Sequence, residues 1–289
     1  MFNINTLKTM IFTSVALFAF AGNSVLCRLA LGGAVIDAPS FTAIRLLSGI
    51  VVLVALLALT TDKQKPVSKG SWLASILLFV YAITFSFAYI SLDTGVGALI
   101  LFGTVQLTMI LASVVSGSKL HLAEWLGISI AFSGFVYLII PNLTTPSFTG
   151  FFLMVISGIA WGGYTLKGRG SINPISDTAY NFIRTIPFVI LLIILFFRDA
   201  HLSSFGILLA ILSGAIASGI GYVVWYIALS NLSIIQASVV QLFVPIIAAI
   251  GGIFFINEII SLRLVFSSVM VLGGILLVIL GSNYFVKVK

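Results

Sequence analysis

The sequence contains few charged residues and a single cysteine. Asp, Glu, Lys and Arg together make up 7% of the 289 residues, whereas soluble globular domains carry about 25%. Because 61% of the residues are hydrophobic, a soluble fold could not bury the apolar surface, and the composition predicts an integral membrane protein. The lone cysteine, Cys27, excludes an intramolecular disulfide and a cysteine cluster for a metal. We therefore predict a protein without a metal or a cofactor.

The apolar residues form continuous runs rather than alternating blocks, which favours helices over a β-barrel. A transmembrane helix needs about 20 such residues. The sequence therefore predicts an all-α polytopic membrane protein with ten transmembrane helices, near residues 9–30, 39–60, 71–91, 95–116, 123–140, 150–168, 177–197, 203–229, 233–256 and 262–283. The first run resembles a signal peptide that ends at Ala19-Phe20-Ala21. We favour a retained helix, because this run has a counterpart in the second half of the chain.

Basic residues lie mainly on one side of the predicted bundle. With a cytoplasmic N-terminus, the basic residues on the cytoplasmic side are Lys8, Lys63, Lys65, Lys69, Lys119, Lys167, Arg169, Lys287 and Lys289. The opposite loops contain Arg198 and Arg263. By the positive-inside rule, both termini are predicted to be cytoplasmic, in a multi-pass protein of a bacterial inner (plasma) membrane. The net charge of +7 then reflects membrane orientation, and we predict no nucleic-acid partner.

The two halves of the chain resemble each other. Residues 21–28 match residues 160–167, and the same offset aligns Arg45 with Arg184. Since five helices per half is an odd number, the second copy must enter the membrane from the opposite side. The sequence predicts two inverted five-helix repeats, residues 1–141 and 150–289, joined by an extracytoplasmic linker at residues 142–149.

Several short motifs resemble the EamA branch of the drug/metabolite transporter (DMT) superfamily. They are Gly22-Asn23 through Leu31 in helix 1, Ala43-Ile44-Arg45-Leu46 in helix 2, and Pro245 followed by Ile256-Asn257-Glu258 in helix 9. The resemblance implies a ten-helix exporter of small metabolites, similar to the YddG-like aromatic amino-acid exporters. It also implies that helices 1, 3, 4, 6, 8 and 9 surround a central path.

The chain departs from the family pattern at three places. Ser118 lies where the first repeat would carry Glu, Asn257 replaces Gly, and Gln106 lies beside the position of the first-half proline. The second-half copy, from Ser233 to Ser261, keeps both its proline and its glutamate. We therefore expect the two repeats to be functionally unequal, with the glutamine-bearing part of helix 9 contacting the solute.

Polar residues at bilayer depth are costly unless they face a cavity or a partner. Asn23 is predicted either to contact the substrate or to form a hydrogen bond between helices. Gln106 and Gln241, with Gln236, offer neutral donors and acceptors that suit zwitterions, sugars or bases. Pro245 is predicted to disturb its helix one turn upstream, near Gln241, where freed carbonyls would line a site or simply accompany a packing kink.

Aromatic side chains form the second group of candidates. Trp161 lies about half a helix from either membrane boundary, so it does not fit an interfacial belt. Facing aromatic rings would give stacking surfaces for a flat or apolar substrate group. The predicted substrate-binding aromatics are Tyr81, Phe85, Tyr89, Trp161, Tyr164, Tyr222 and Trp225.

Charged residues suggest gating or structural roles. Arg45 and Arg184 are predicted to snorkel toward the headgroups, and the alternative is that they neutralise a substrate carboxylate or bond to a carbonyl at a gate. Glu258 is predicted to cap the following helix or to pair with Arg263. The sequence places no Asp or Glu at mid-depth, which favours facilitated or weakly coupled export over a carboxylate-based antiporter.

These observations favour a secondary transporter that exports small metabolites by alternating access. Amino acids, including aromatic ones, are the expected substrates. Alternatives are a transporter of a nucleotide-like metabolite such as S-adenosylmethionine, and a non-transporting membrane sensor of the same fold. An enzyme is disfavoured, because His121 and His201 lie in loops on opposite faces and Cys27 has no nearby base. The expected partners are a small-molecule substrate and the lipid bilayer, with a monomer and a homodimer both left open.

Overall fold

The computed structural model describes residues 4–60, 68–117, 120–140, 147–169, 171–232 and 234–286. Helices dominate these residues. The α-helices are α1 (Ile4–Gly32), α2 (Ala38–Thr60), α3 (Trp72–Tyr89), α4 (Thr94–Val115), α5 (Leu122–Ile139), α6 (Phe148–Gly168), α7 (Pro174–Ile183), α8 (Ile186–Phe196), α9 (Ser204–Ile211), α10 (Gly221–Leu229), α11 (Ile234–Gln241), α12 (Val244–Ile256) and α13 (Leu262–Val286). A 3-10 turn follows α8 at Phe197–Asp199, and a π-helix joins α9 to α10 at Leu212–Ile220.

These helices form ten membrane spans of 18 to 26 residues, which confirms the predicted fold class. At 1.5 Å per residue the spans are about 27 to 39 Å long, enough to cross the hydrocarbon core. The first six spans and the tenth are single helices. The seventh span comprises α7 and α8, the eighth comprises α9, the π-helix and α10, and the ninth comprises α11 and α12.

Two spans are interrupted at prolines. In the ninth span α11 ends at Gln241 and α12 begins at Val244, with Pro245 in the first turn. The ring of Pro245 would clash with the carbonyl four residues earlier, so the predicted disturbance near Gln241 is confirmed. Pro187 breaks the seventh span in the same way, between Ile183 and Ile186. Sequence reasoning did not anticipate this second break, although Pro187 was its visible signal.

The first helix of each half packs against helices of the other half. Helix α1 packs against the eighth and ninth spans, whereas α6 packs against α3 and α4, the matching spans of the first half. Helix α4 also packs on α12, and α5 on α13, so equivalent spans meet each other. This reciprocal packing makes one bundle of the two repeats, with their facing helices at its centre. Residues 141–146, in and beside the predicted linker, lie outside the described residues, and the exact division of the repeats stays a prediction.

Helices α5 and α13 touch backbone to backbone. A Cβ atom built on Gly274 would lie 2.5 Å from the carbonyl oxygen of Gly127, and one built on Gly127 would lie 2.6 Å from that of Gly274. Small residues permit such close approach between helices in membranes. This pair therefore forms a tightly packed side of the bundle beside α4.

Candidate functional site

The centre of the bundle contains a small cavity lined by both halves. We call it the central cavity, and its lining residues are Phe20, Asn23, Tyr81, Phe85, Leu101, Phe102, Trp161 and Tyr222. They come from α1, α3, α4, α6 and α10. The cavity volume is about 10 Å³, which is room for roughly one water molecule, whereas ligand pockets usually measure about 300 to 1,000 Å³. An organic solute therefore needs these side chains to move apart.

Aromatic rings make up most of the cavity wall. The Trp161 ring lies 4.7 Å from the Tyr222 ring, 4.9 Å from the Tyr81 ring and 6.0 Å from the Phe20 ring, measured between centroids. Tyr164 stacks on Trp161 at 5.4 Å with an interplanar angle of 28° and lies behind the lining. These separations are typical of favourable aromatic pairs. The structure thus brings Trp161, Tyr222 and Tyr81 together with the five other lining residues around one space.

Three lining residues were missed by sequence reasoning, namely Phe20, Leu101 and Phe102. Phe20 lies three residues before Asn23 and Phe102 four residues before Gln106, so each pair shares a helix face. That spacing was the available signal. It was obscured because phenylalanine is also the ordinary lipid-facing residue of a membrane helix.

Arg45 is buried beside the central cavity. Its side chain is 1% exposed, and its Nη2 donates to the hydroxyls of Tyr81 at 2.9 Å and Tyr222 at 3.2 Å. Its Nε donates to the hydroxyl of Ser218 at 3.2 Å. The guanidinium carbon also lies 5.0 Å from the centre of the Phe85 ring. The prediction that Arg45 snorkels to the headgroups is therefore wrong, because hydroxyl groups within the bundle hold its side chain there.

Asn23 joins the same polar cluster. Its Nδ2 donates to the Tyr81 hydroxyl at 3.2 Å, and its Oδ1 accepts from the Ser213 hydroxyl at 2.6 Å. The interhelical interpretation of Asn23 therefore describes its present contacts, although the residue also lines the cavity. Both serines that serve this cluster, Ser213 and Ser218, lie in the π-helix. The unusual turn presents two hydroxyls to the bundle centre, and π segments often mark functional sites.

Gly214 allows the π-helix to approach α2 at Arg45. A Cβ atom on Gly214 would lie 2.0 Å from the carbonyl oxygen of Arg45 and 2.2 Å from the hydroxyl of Ser48. No side chain larger than hydrogen fits at this position without separating the two elements. The position of Arg45 thus depends on a glycine in the other half of the chain.

A second cavity lies beyond Trp225. Its lining residues are Met109, Thr165, Arg169, Trp225, Leu229, Ala237 and Gln241, and its volume is also about 10 Å³. The Trp225 ring lies 5.7 Å from that of Phe20, so these two rings stand between the cavities. Gln241 accepts a hydrogen bond of 3.0 Å from Gln106, and both side chains are buried. Trp225, Gln106 and Gln241 therefore do not line the central cavity, contrary to the sequence prediction, and the Gln236 side chain is outside the described part.

The glutamine pair gives a prediction about stability. Gln241→Leu leaves the Gln106 amide buried without its acceptor, so we expect it to lower the free energy of unfolding by about 1 to 2 kcal/mol. The double variant Gln106→Leu/Gln241→Leu removes both polar groups and should recover most of that loss. Unfolding of the four proteins in one detergent measures the coupling. Strictly additive losses would show that the two amides do not stabilise each other.

Arg28 connects three parts of the chain at one end of the bundle. Its guanidinium pairs with Asp93 at 3.1 Å and with Glu258 at 3.3 Å, and its Nη1 donates to the carbonyls of Tyr89 and Ile90, each at 3.2 Å. We call these contacts, with Thr94, the Arg28 network. The network ties α1 to the α3–α4 turn and to the segment after α12.

Glu258 caps a different helix from the one predicted. Its carboxylate accepts from the Thr94 amide at 2.9 and 3.0 Å and from the Thr94 hydroxyl at 3.1 Å, so it caps the start of α4. The predicted cap on the following helix and the pairing with Arg263 are wrong. Arg263 instead donates to the carbonyls of Leu138 and Ile140. The sequence could not show that the α3–α4 turn lies beside Glu258.

Two neighbours complete this end. Asn257 adopts the left-handed conformation, with φ of 58°, and ends α12. Asparagine tolerates this conformation better than other residues with a Cβ, which explains how it replaces glycine at this position. The Tyr89 hydroxyl donates to the Thr94 carbonyl at 3.3 Å. Tyr89 therefore belongs to the Arg28 network and does not line the central cavity, contrary to its prediction as a substrate-binding residue.

The opposite end of the bundle is held by Asp177 and Arg184. Asp177 accepts from the Gly70 amide at 2.8 Å and from the hydroxyls of Ser68 and Ser171. Arg184 donates to the carbonyl of Lys69, and its guanidinium carbon lies 5.7 Å from the Trp72 ring centre. This position at a helix end fits the snorkelling interpretation. Arg45 and Arg184 are thus related in sequence but occupy different environments.

The described residues contain no cluster of three His, Cys, Asp or Glu side chains that could hold a metal ion. The polar groups that meet in the bundle are instead hydroxyls, amides and Arg45. This set can bind a polar organic group through hydrogen bonds.

Comparisons with known proteins agree with this architecture. Residues 148–280 match the model of the EamA-like transporter family. An uncharacterized protein of Pseudomonas aeruginosa is 46% identical over 94% of each chain. An uncharacterized transporter of Archaeoglobus fulgidus is 26% identical over 87% of this chain and 90% of its own. A protein of known crystal structure shares the fold, with a TM-score of 0.62 and 19% identity over 92% of this chain and 98% of that one.

Proposed function

The chain belongs to the EamA-like transporter family, and from that membership and the central cavity we propose that it exports amino acids, aromatic ones among them, by alternating access. A ten-span membrane transporter needs a path for its solute. The observation that carries the proposal is the central cavity, because side chains of both halves line it and aromatic rings form most of its wall. Movement of one half relative to the other would enlarge it and open it to one side.

We propose that the Arg28 end of the bundle faces outward. The basic residues Lys69, Lys167 and Arg169 lie at the opposite end, which the positive-inside rule assigns to the cytoplasm of a bacterial inner membrane. Both termini then lie in the cytoplasm. In this orientation the second cavity, lined by Arg169, lies on the cytoplasmic side of Phe20 and Trp225. A solute leaving the cell would pass it before reaching Trp161.

The wall of the central cavity suits an amino acid with an apolar side chain. The rings of Phe20, Trp161 and Tyr222 offer stacking surfaces, and the adjacent hydroxyls and the Asn23 amide offer hydrogen bonds to a polar head. The described carboxylates lie at loops and helix ends rather than in this wall. We therefore propose facilitated or weakly coupled export rather than transport driven by a carboxylate relay.

Counterflow in proteoliposomes tests the proposal. Vesicles loaded with unlabelled amino acids should take up the matching labelled amino acid, with phenylalanine, tyrosine and tryptophan among the exchanged ones. A panel that exchanges S-adenosylmethionine but no amino acid would contradict the proposed substrate class. Ligand binding in detergent without any exchange would favour a sensor of the same fold over a transporter.

A further inference from the structure

Arg45 carries a buried positive charge without an anionic partner. A guanidinium stays protonated in proteins, and burying a charge inside a membrane protein is costly unless it is compensated. In the described part of the chain every hydrogen-bond partner of Arg45 is neutral, namely the hydroxyls of Tyr81, Tyr222 and Ser218. The ion pairs among the described residues both belong to Arg28. The positive charge of Arg45 is therefore not neutralised by any side chain among the described residues.

The cluster around Arg45 also has more donors than acceptors. The Tyr81 hydroxyl oxygen lies within hydrogen-bond distance of donors on Arg45, Asn23 and Tyr222. A phenol oxygen has two lone pairs, so it cannot accept fully from all three donors. The Asn23 carbonyl oxygen is already bonded to Ser213. The Nη1 atom of Arg45 is buried and has no acceptor among the described residues. A group that only accepts hydrogen bonds would resolve both imbalances.

The location of the cluster beside the central cavity indicates which hydrogen-bond acceptor would bind there. Tyr81, Tyr222 and Phe85 each contact Arg45 and each line the central cavity. An ionised carboxylate accepts hydrogen bonds only, carries the missing charge, and matches the fork of a guanidinium. A solute in the cavity would reach Arg45 between the two tyrosine hydroxyls.

We infer that Arg45 binds the carboxylate of the transported solute and makes the central cavity selective for carboxylates over amines. This inference rests on the proposed function and defines its substrate class. The tyrosine hydroxyls position the guanidinium, while the aromatic wall receives the rest of the solute. Solutes that present an ammonium but no carboxylate meet an uncompensated positive charge and are excluded.

A purely structural role is the competing explanation, because Arg45 also bonds to α3 and to the eighth span. The two roles differ in what they predict for ligands. A structural arginine would make its replacement unstable but would not distinguish a carboxylate from an amine in the unaltered protein.

The test compares three ligands that share a phenyl ring and a two-carbon chain. They are L-phenylalanine, 3-phenylpropanoate, which lacks the ammonium, and 2-phenylethylamine, which lacks the carboxylate. Binding to purified wild-type protein is measured by calorimetry and by competition with labelled L-phenylalanine. We expect the two carboxylates to bind and the amine to bind at least about tenfold more weakly.

Two substitutions at Arg45 and one control extend the test. Arg45→Gln should raise the Kd of L-phenylalanine by about 10- to 100-fold. The same substitution should either not change the Kd of 2-phenylethylamine or decrease it. Arg45→Lys keeps the charge and should restore part of the binding. Arg184→Gln makes the same charge change at the repeat-related position near the membrane boundary and should alter the Kd by less than about threefold. Size-exclusion profiles show which variants are folded.

The outcomes separate this inference from the proposed function. If wild-type protein binds the amine as tightly as the two carboxylates, or if folded Arg45→Gln keeps the wild-type Kd, the inference is overturned while transport stands. If wild-type protein binds and exchanges none of the three, the proposed function fails for aromatic amino acids, and the inference falls with it. Because the wild-type comparison needs no variant, misfolding at Arg45 cannot obscure the result.

Discussion

Glu258→Gln is expected to open the Arg28 end of the bundle, which faces outward in the proposed orientation, and to make it reactive toward reagents added outside. The Glu258 carboxylate holds Arg28 and caps α4 at Thr94. The side chains of Arg28 and Glu258 are 19% and 13% exposed, so the loss should lie below that of a fully buried pair, at about 2 kcal/mol. A change of this size moves a two-state equilibrium by roughly 30-fold.

Labelling of a new cysteine beneath the network measures this opening. Ser24 is buried one helical turn toward the bundle centre from Arg28, and Ser24→Cys in a Cys27→Ala background gives a single thiol. A membrane-impermeant reagent added outside should label this thiol roughly 30 times faster when Glu258 is replaced. Asp93→Asn is the matched control, because it removes a charge from the same Arg28 but at a side chain that is 58% exposed. A labelling rate for Glu258→Gln as low as that of wild type and Asp93→Asn would show that Glu258 does not hold this end closed.

Gly274→Leu is expected to prevent formation of the stable bundle. A Cβ at this position would lie 2.5 Å from the Gly127 carbonyl oxygen and 2.7 Å from the Ala131 amide nitrogen, both backbone atoms. Helices α5 and α13 must therefore separate along their contact. Overpacking usually costs about 1 to 3 kcal/mol, and a backbone clash of this kind should reach or exceed the upper value.

The neighbouring glycine provides the control for that substitution. A Cβ on Gly273 meets no atom within 4 Å, so Gly273→Leu adds a side chain that points into open space outside the helix packing. We expect a large fall in the melting temperature and in the monodisperse yield for Gly274→Leu, and values near wild type for Gly273→Leu. Similar losses for both variants would indicate that helix propensity or insertion, rather than the α5–α13 contact, is the cause.

The ten spans were predictable because the bilayer imposes one requirement on every segment. About 20 apolar residues with internally satisfied backbone groups are needed at each crossing, and the sequence displays them directly. The Pro245 break followed from the missing amide of proline. The π-helix at Leu212–Ile220 could not be predicted from the sequence. It is associated with a contact between distant parts of the chain, namely the packing of Gly214 against Arg45.

The site was only partly predictable, because a sequence shows which residues are polar or aromatic but not which of them meet. Trp161 and Tyr222 were expected to share a cavity and do so, whereas Gln241 faces a second cavity and bonds to Gln106. Arg45 was expected at the headgroups. Its burial depends on partners 36 to 177 residues away in the chain, and local patterns carry no information about such pairings.

The Arg28 network gives a structural reason to expect unequal repeats. Arg28 aligns with Lys167, and Glu258 aligns with Ser118, which lies outside the described residues. The carboxylate that holds the Arg28 end therefore has no counterpart in the first repeat. We expect the two ends of the path to differ in how strongly they close, which would favour one direction of access.

We propose that the solute path runs through the central cavity and that this cavity opens alternately to both sides. Leu101 lines the cavity and is 2% exposed, so Leu101→Cys in a Cys27→Ala background places one thiol there. Labelling with an impermeant reagent is measured in right-side-out and in inverted membrane vesicles, with and without L-phenylalanine. The proposal predicts labelling from both sides and slower labelling from both when the amino acid is present. Labelling from one side only, or rates that a transported amino acid leaves unchanged, would contradict it.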